Sequence, residues 1–139
     1  MDNTVNANYY GRLIVQTTSA RNAIPIVGAT VVVREILDDG TSRLISVMNT
    51  DADGKTQPLE IPTPSPSESL SPGGAKPYTD VSIEISADGY YGIVNTHVPI
   101  YPGVTSIQPA WMIPVSSSES SRYPSGSLII NENIRKPNL

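Results

Sequence analysis

The 139-residue chain is 38% apolar and 16% charged, the composition of one globular domain, with seven Tyr, one Trp, no Phe, ten Gly and thirteen Pro. Nine cationic against thirteen anionic side chains give a net charge of −4, so a nucleic-acid backbone meets no broad basic footprint. The lack of cysteine removes disulfides, thiolate catalysis and thiolate metal sites, and a single histidine, His97, removes every multi-histidine zinc arrangement. The opening residues have no cationic segment followed by an apolar run, and no stretch approaches about 18 uninterrupted apolar residues. Neither a standard secretory signal nor a transmembrane segment is therefore expected.

Residues 1–10 are polar and read as a lead-in able to add a strand to an edge. From Gly11 the chain alternates, with Leu13 and Val15 on one face and Arg12, Ile14 and Gln16 on the other. After Ile24-Pro25 a second strand runs from Thr30 to Leu37, placing Val31, Val33 and Glu35 opposite Val32, Arg34 and Ile36. Asp38-Asp39-Gly40 closes a hairpin, since Asp and Gly tolerate the positive φ of tight turns. The return strand, Ser42 to Thr50, alternates Leu44, Ser46 and Met48 with Arg43, Ile45 and Val47. Asp51-Ala52-Asp53-Gly54 turns into a short extended piece, Thr56 to Ile61.

The Pro- and Ser-rich stretch 62–77 cannot sustain a ladder and reads as a long polyproline-like surface loop. Alternation resumes at Thr79 to Ala87, with Val81, Ile83 and Ile85 against Asp80, Ser82, Glu84 and Ser86. Tyr90 to Ile100 and Val104 to Val115 follow, separated by Pro102-Gly103. This spacing predicts an all-β fold, a seven-stranded antiparallel Greek-key β-sandwich over 11–115 with flexible termini. Residues 116–139 form a Ser-rich linker and tail, in which Leu128-Ile129-Ile130 could dock as an edge strand on its own sandwich or on a neighbour.

Four landmarks stand in order: Gly11-x-Leu13-x-Val15, Ile24-Pro25-x-x-Gly28-Ala29-x-Val31-x-Val33, Thr50-Asp51-x-Asp53-Gly54 and Ala87-Asp88-Gly89-Tyr90. Together they resemble the carboxypeptidase regulatory-like, or transthyretin-like, β-sandwich superfamily. Pro77-Tyr78, Gly89-Tyr90-Tyr91, the run Val98 to Pro109 and Met112-Ile113-Pro114 look like the transthyretin-like module of clostridial spore cortex-lytic and peptidoglycan-binding proteins. The resemblance implies a non-catalytic interaction or structural module of spore or cell-envelope layers, binding a protein partner or itself through sheet edges and loops. The alternative it implies is a peptidoglycan-binding module that targets a cortex hydrolase. Synthesis in the mother-cell cytoplasm would dispense with a signal peptide. An enzyme of the same fold, of the hydroxyisourate hydrolase kind, would need clustered His and Arg and a Tyr-Arg-Gly-Ser ending, whereas this chain ends Lys136-Pro137-Asn138-Leu139.

No catalytic residue, metal site or cofactor is expected. Asp51-x-Asp53-Gly54 reads as a turn, because its glycine and Glu60 fall at the wrong positions for a calcium loop. Nothing in the sequence pairs with His97, and strand alternation puts it on the face of Asn95, at a surface or edge. Related Gram-positive sandwiches carry Lys to Asn or Asp isopeptide bonds, but Lys55, Lys76 and Lys136 all fall in turns, loop or tail. The candidate binding residues are Tyr78, Tyr90, Tyr91, Tyr101 and Trp111, whose flat rings with polar tips suit sugar faces or protein partners. The competing reading is that Trp111 and one or two Tyr fill a core without Phe.

Overall fold

The computed structural model describes residues 9–20, 23–66, 76–116 and 129–131. Eight strands and no α-helix occur among the described residues: β1 (Tyr9–Ser19), β2 (Thr30–Ile36), β3 (Ser42–Asn49), β4 (Leu59–Thr63), β5 (Thr79–Ser86), β6 (Gly92–Ile100), β7 (Thr105–Met112) and β8 (Ile129–Asn131). They form a three-stranded sheet in the order β4-β1-β7 and a five-stranded sheet in the order β3-β2-β5-β6-β8. The sheets face one another across an aliphatic core. Leu13, Val15, Ile61, Ala110 and Met112 enter it from the small sheet, and Val31, Val33, Val81, Ile83, Ile85, Ile93 and Ile100 from the large one. Each fully buried branched side chain contributes about 1.5–3 kcal/mol by leaving water, so the period-2 apolar pattern of β1, β2 and β5 sets which faces meet.

The sandwich is not purely antiparallel. β1 pairs antiparallel with β4 over Tyr9–Leu13, but β7 lies parallel to β1 from Arg12 beside Thr105 to Ser19 beside Met112. The reason lies in the Pro102-Gly103 corner, which carries the chain from β6 in the large sheet across to the small one instead of folding it back as a hairpin. There Gly103 N–H donates to Tyr10 O and Arg12 N–H to Val104 O, locking the corner against the start of β1. Gly11 sits in this contact, where a Cβ would strike the Tyr101 carbonyl and the Ile100 side chain. A second parallel pairing joins β8 to β6, with Gly92, Ile93 and Val94 registered on Ile129, Ile130 and Asn131.

Two further departures from the sequence reading have local causes. β3 does not alternate strictly: Val33 pairs with Ser46 but Arg34 with Leu44, so Ile45 is an extra residue in a bulge. The bulge lets Ile45 and Met48, three positions apart, both pack against the core while Leu44 and Val47 face solvent. β4 starts later than Thr56 and continues through Pro62, which an edge strand tolerates because no inner ladder needs its missing N–H.

The turns behave as their residues dictate. In the β2–β3 turn Gly40 takes a φ of 87°, and the Asp39 carboxylate accepts hydrogen bonds from the Thr41 hydroxyl at 2.6 Å and the Thr41 amide at 2.9 Å. The hydroxyl bond above all holds the Asp39 carboxyl below its usual range. After β3, Asp51 Oδ1 accepts from the amides of Asp53 and Lys55, so this carboxylate closes its own turn.

Three buried threonines tie the crossings between sheets to β1. The Thr17 and Thr50 hydroxyls both donate to the Ile26 carbonyl, at 3.0 and 2.7 Å, and Thr50 Oγ1 accepts from Ala29 N–H at 2.9 Å. Thr56 Oγ1 accepts from Val15 N–H at 3.0 Å. Gly54, with a φ of 76°, brings its carbonyl to Thr17 N–H, and a Cβ there would collide with the Thr17 carbonyl.

Thr50→Val keeps the shape but leaves the buried Ala29 N–H without its acceptor. It should cost about 1–3 kcal/mol, and Gly54→Ala about 1–3 kcal/mol through the left-handed backbone alone. Both are read as lowered urea midpoints with an unchanged denaturant slope, with Thr50→Ser close to the parent.

Candidate interaction surface

The five aromatic candidates do not converge on one patch. Tyr78 and Tyr101 meet at one end of the sandwich, with ring centroids 5.5 Å apart and planes tilted by 56°. Lys76 Nζ lies 5.6 Å from the Tyr78 ring centre and 3.4 Å from Asp38 Oδ1. Beside them opens a cleft of about 440 Å³, lined among others by Glu35, Asp38, Lys76, Tyr78 and Asp80. Tyr90 and Tyr91 lie at the other end of β6, roughly 30 Å away at about 3.3 Å per residue. Tyr90 is half-buried against the core and bridges to Pro114, and Tyr91 N–H donates to Ile113 O.

Trp111 belongs to neither group, and it does not fill the core. It is 64% exposed, on the outer face of the three-stranded sheet, because the alternation of β7 sends its neighbours Ala110 and Met112 inward. Parallel registry sets Ile107 beside Ile14, Pro109 beside Gln16 and Trp111 beside Thr18. Ile107 is itself 60% exposed, and Pro109 is exposed too. The result is an apolar strip along β7, with Ile14 half-buried at its margin. Alternation in Thr105 to Met112 accounts for this placement, which goes against the competing reading that Trp111 fills the core.

His97 has the partner that the sequence did not reveal. Its Nδ1 lies 2.8 Å from Asp80 Oδ2, with Asp80 only 9% exposed. The linear pattern concealed the pair because β6 is bulged: Val81 faces Val98 but Ile83 faces Asn95, leaving Thr96 and His97 together opposite Ser82. The bulge also breaks the expected shared face. Asn95 is buried, whereas His97 is exposed at a φ of 59°, a left-handed conformation that histidine adopts more readily than most residues. Asp80 Oδ1 and Asn95 Nδ2 are buried without a hydrogen-bond partner. Asp80 orients the ring and leaves Nε2 as the outer nitrogen of an exposed imidazole.

Lys55 and Lys76 are exposed, and Lys136 lies outside the described residues. Among the described residues the core contains no lysine.

No protein-family model matches the chain, and no curated protein matches it. Among solved structures it is similar to a double mutant of the shaft pilin SpaA from Lactobacillus rhamnosus GG, at 15% identity and a TM-score of 0.47. That alignment covers 81% of this chain and 48% of the other, about half its length. The C-terminal domain of the same shaft pilin aligns at 14% identity and a TM-score of 0.42, over 76% of this chain and 98% of that domain. A 9R-lipoxygenase from Cyanothece PCC8801 aligns at 12% identity and a TM-score of 0.36, over 74% of this chain and 17% of the enzyme.

Trp111 is the chain's one tryptophan, so its emission should sit at the solvent-exposed end of the indole range and be fully quenched by acrylamide. Trp111→Ser should change stability by no more than about 0.5 kcal/mol. Tyr90→Ala should cost about 2 kcal/mol, less than the roughly 3–5 kcal/mol for a fully buried aromatic ring because Tyr90 is only half-buried. Chemical denaturation of the two variants separates surface from core.

Proposed function

We propose that this chain is a non-catalytic structural or interaction module of a spore or cell-surface layer, a transthyretin-like Greek-key sandwich that joins a protein partner or a second copy of itself. The observation that carries this reading is the strip formed by Ile107, Pro109 and Trp111 on the outer face of the small sheet. Large aliphatic and indole surface left in water along one strand is costly for a monomer and suits a protein interface, where tryptophan is a favoured anchor. The strip lies on the small sheet, whereas the Asp80–His97 pair lies on the large one.

A second reading, attachment to peptidoglycan, draws support from the Tyr78–Tyr101 pair and the cleft of about 440 Å³ beside it. Tilted rings with a lysine over one of them offer stacking and hydrogen bonding to a sugar chain. The volume falls in the range of about 300–1,000 Å³ usual for small-ligand pockets.

Light scattering on a concentration series, paired with co-sedimentation on insoluble cortex and vegetative peptidoglycan, separates the two. The leading reading expects a mass above the monomer, or capture by a protein of the same layer, reduced at least tenfold in affinity by the combined change Ile107→Ser and Trp111→Ala. Sedimentation with glycan that Tyr101→Ala abolishes and the strip variant does not would instead establish the second reading. A monomer that binds neither would refute both.

A further inference from the structure

Among the described residues, the edges of β3, β4, β7 and the second half of β6 each carry a proline or a bulge. β4 carries Pro62, β7 carries Pro109, and β3 is bulged at Ile45. β6 carries the two-residue bulge at Thr96–His97 and then Pro99. Prolines and bulges are devices that stop an edge from accepting a stray strand. The first three residues of β6, Gly92–Val94, have neither, and this is the segment that β8 covers. An unguarded edge three residues long, filled by a strand three residues long, is a matched acceptor and donor.

The donor is joined to the sandwich by twelve residues, 117–128. From Ser116 to Ile129 that allows a reach of roughly 45 Å at about 3.3–3.6 Å per residue. A sandwich of about 100 residues has a radius of gyration near 13 Å, so the same connection extends to the equivalent edge of an adjoining copy. Pairing within the chain and between chains would use the same Gly92–Val94 backbone groups. What separates the two is the effective concentration of the tethered strand, on the order of millimolar for a connection of this kind.

The geometry points to strand exchange: Ile129–Asn131 of one copy completes the Gly92–Val94 edge of another, so that copies packed at high local concentration are stitched together. This rests on the self-association reading above and names its donor and acceptor. The contact is heterologous, a donor strand on one copy and an acceptor edge on the next, and it either closes reciprocally into a dimer or propagates into a chain.

The natural absence of cysteine makes the test clean. Val94 and Asn131 are registered partners, and adjacent strands lie at about 4.8 Å, within the Cα separation of about 4.4–6.8 Å that a disulfide accepts. The full chain carrying Val94→Cys and Asn131→Cys should oxidise to an internally linked monomer when dilute. Toward about 1 mM it should pass increasingly to linked dimers or a ladder on a non-reducing gel. In parallel, Ile130→Pro, which removes a strand N–H, should return the unlinked chain to monomer by light scattering while Trp111 emission stays unchanged. Internal linkage alone up to about 1 mM, or no linkage, overturns the exchange. Oligomers that persist in Ile130→Pro overturn the exchange and leave self-association through the Trp111 strip standing. A parent chain monomeric at every concentration overturns both.

Discussion

Two threonine hydroxyls converge on the carbonyl oxygen of Ile26, and the rest of the sandwich is arranged around that point. The chain crosses from the small sheet to the large one between β1 and β2, and back again between β3 and β4. Each crossing would leave polar backbone groups beside an aliphatic core. Thr17 from β1 and Thr50 from the end of β3 satisfy the Ile26 carbonyl, Thr50 also takes the Ala29 N–H, and Thr56 takes the N–H of Val15. Buried polar groups cost little when every partner is supplied and much when one is missing. The two sheets can therefore be joined at this end without water, with side chains no larger than threonine. Gly54 brings the last strut, its carbonyl, to Thr17.

Much of this architecture was legible where a strand is regular. Leu13 and Val15, Val31 and Val33, and Val81, Ile83 and Ile85 are buried as their alternation demands. The turns at Gly40, Gly54 and Gly103 all adopt positive φ at the predicted residues. Legibility ended at irregularity. The bulge at Ile45 and the larger one at Thr96–His97 reset which residues share a face, and no period-2 reading anticipates an extra residue. Parallel pairing of β1 with β7 was equally invisible, because alternation reports faces and not strand direction. The threonine clasp was missed since an isolated Thr in a β sequence reads as propensity. Its role depends on three segments far apart in the chain.

The candidate surfaces show the same division. The sequence nominated five rings for one surface, but separation along β6 divides Tyr78 and Tyr101 from Tyr90 and Tyr91. His97 gained its carboxylate only because the bulge turned it outward toward Asp80. Edge protection follows a similar logic. Pro62, Pro109 and Pro99 look in sequence like strand breakers, yet in the fold they sit in strands at sheet margins and blunt them. These prolines thus blunt the sheets laterally.

The parallel pairing of β1 with β7 also sets how the sandwich answers tension. Eight consecutive residue pairs, from Arg12 beside Thr105 to Ser19 beside Met112, hold these strands side by side and pointing the same way. A pull applied at the start of β1 and at the end of β7 slides one strand along the other, so the ladder is loaded in shear and its hydrogen bonds resist together. An antiparallel hairpin pulled from its two open ends would instead unzip, losing its hydrogen bonds in succession. A module strung between neighbours by the segments flanking these strands would thus meet traction along its most resistant direction.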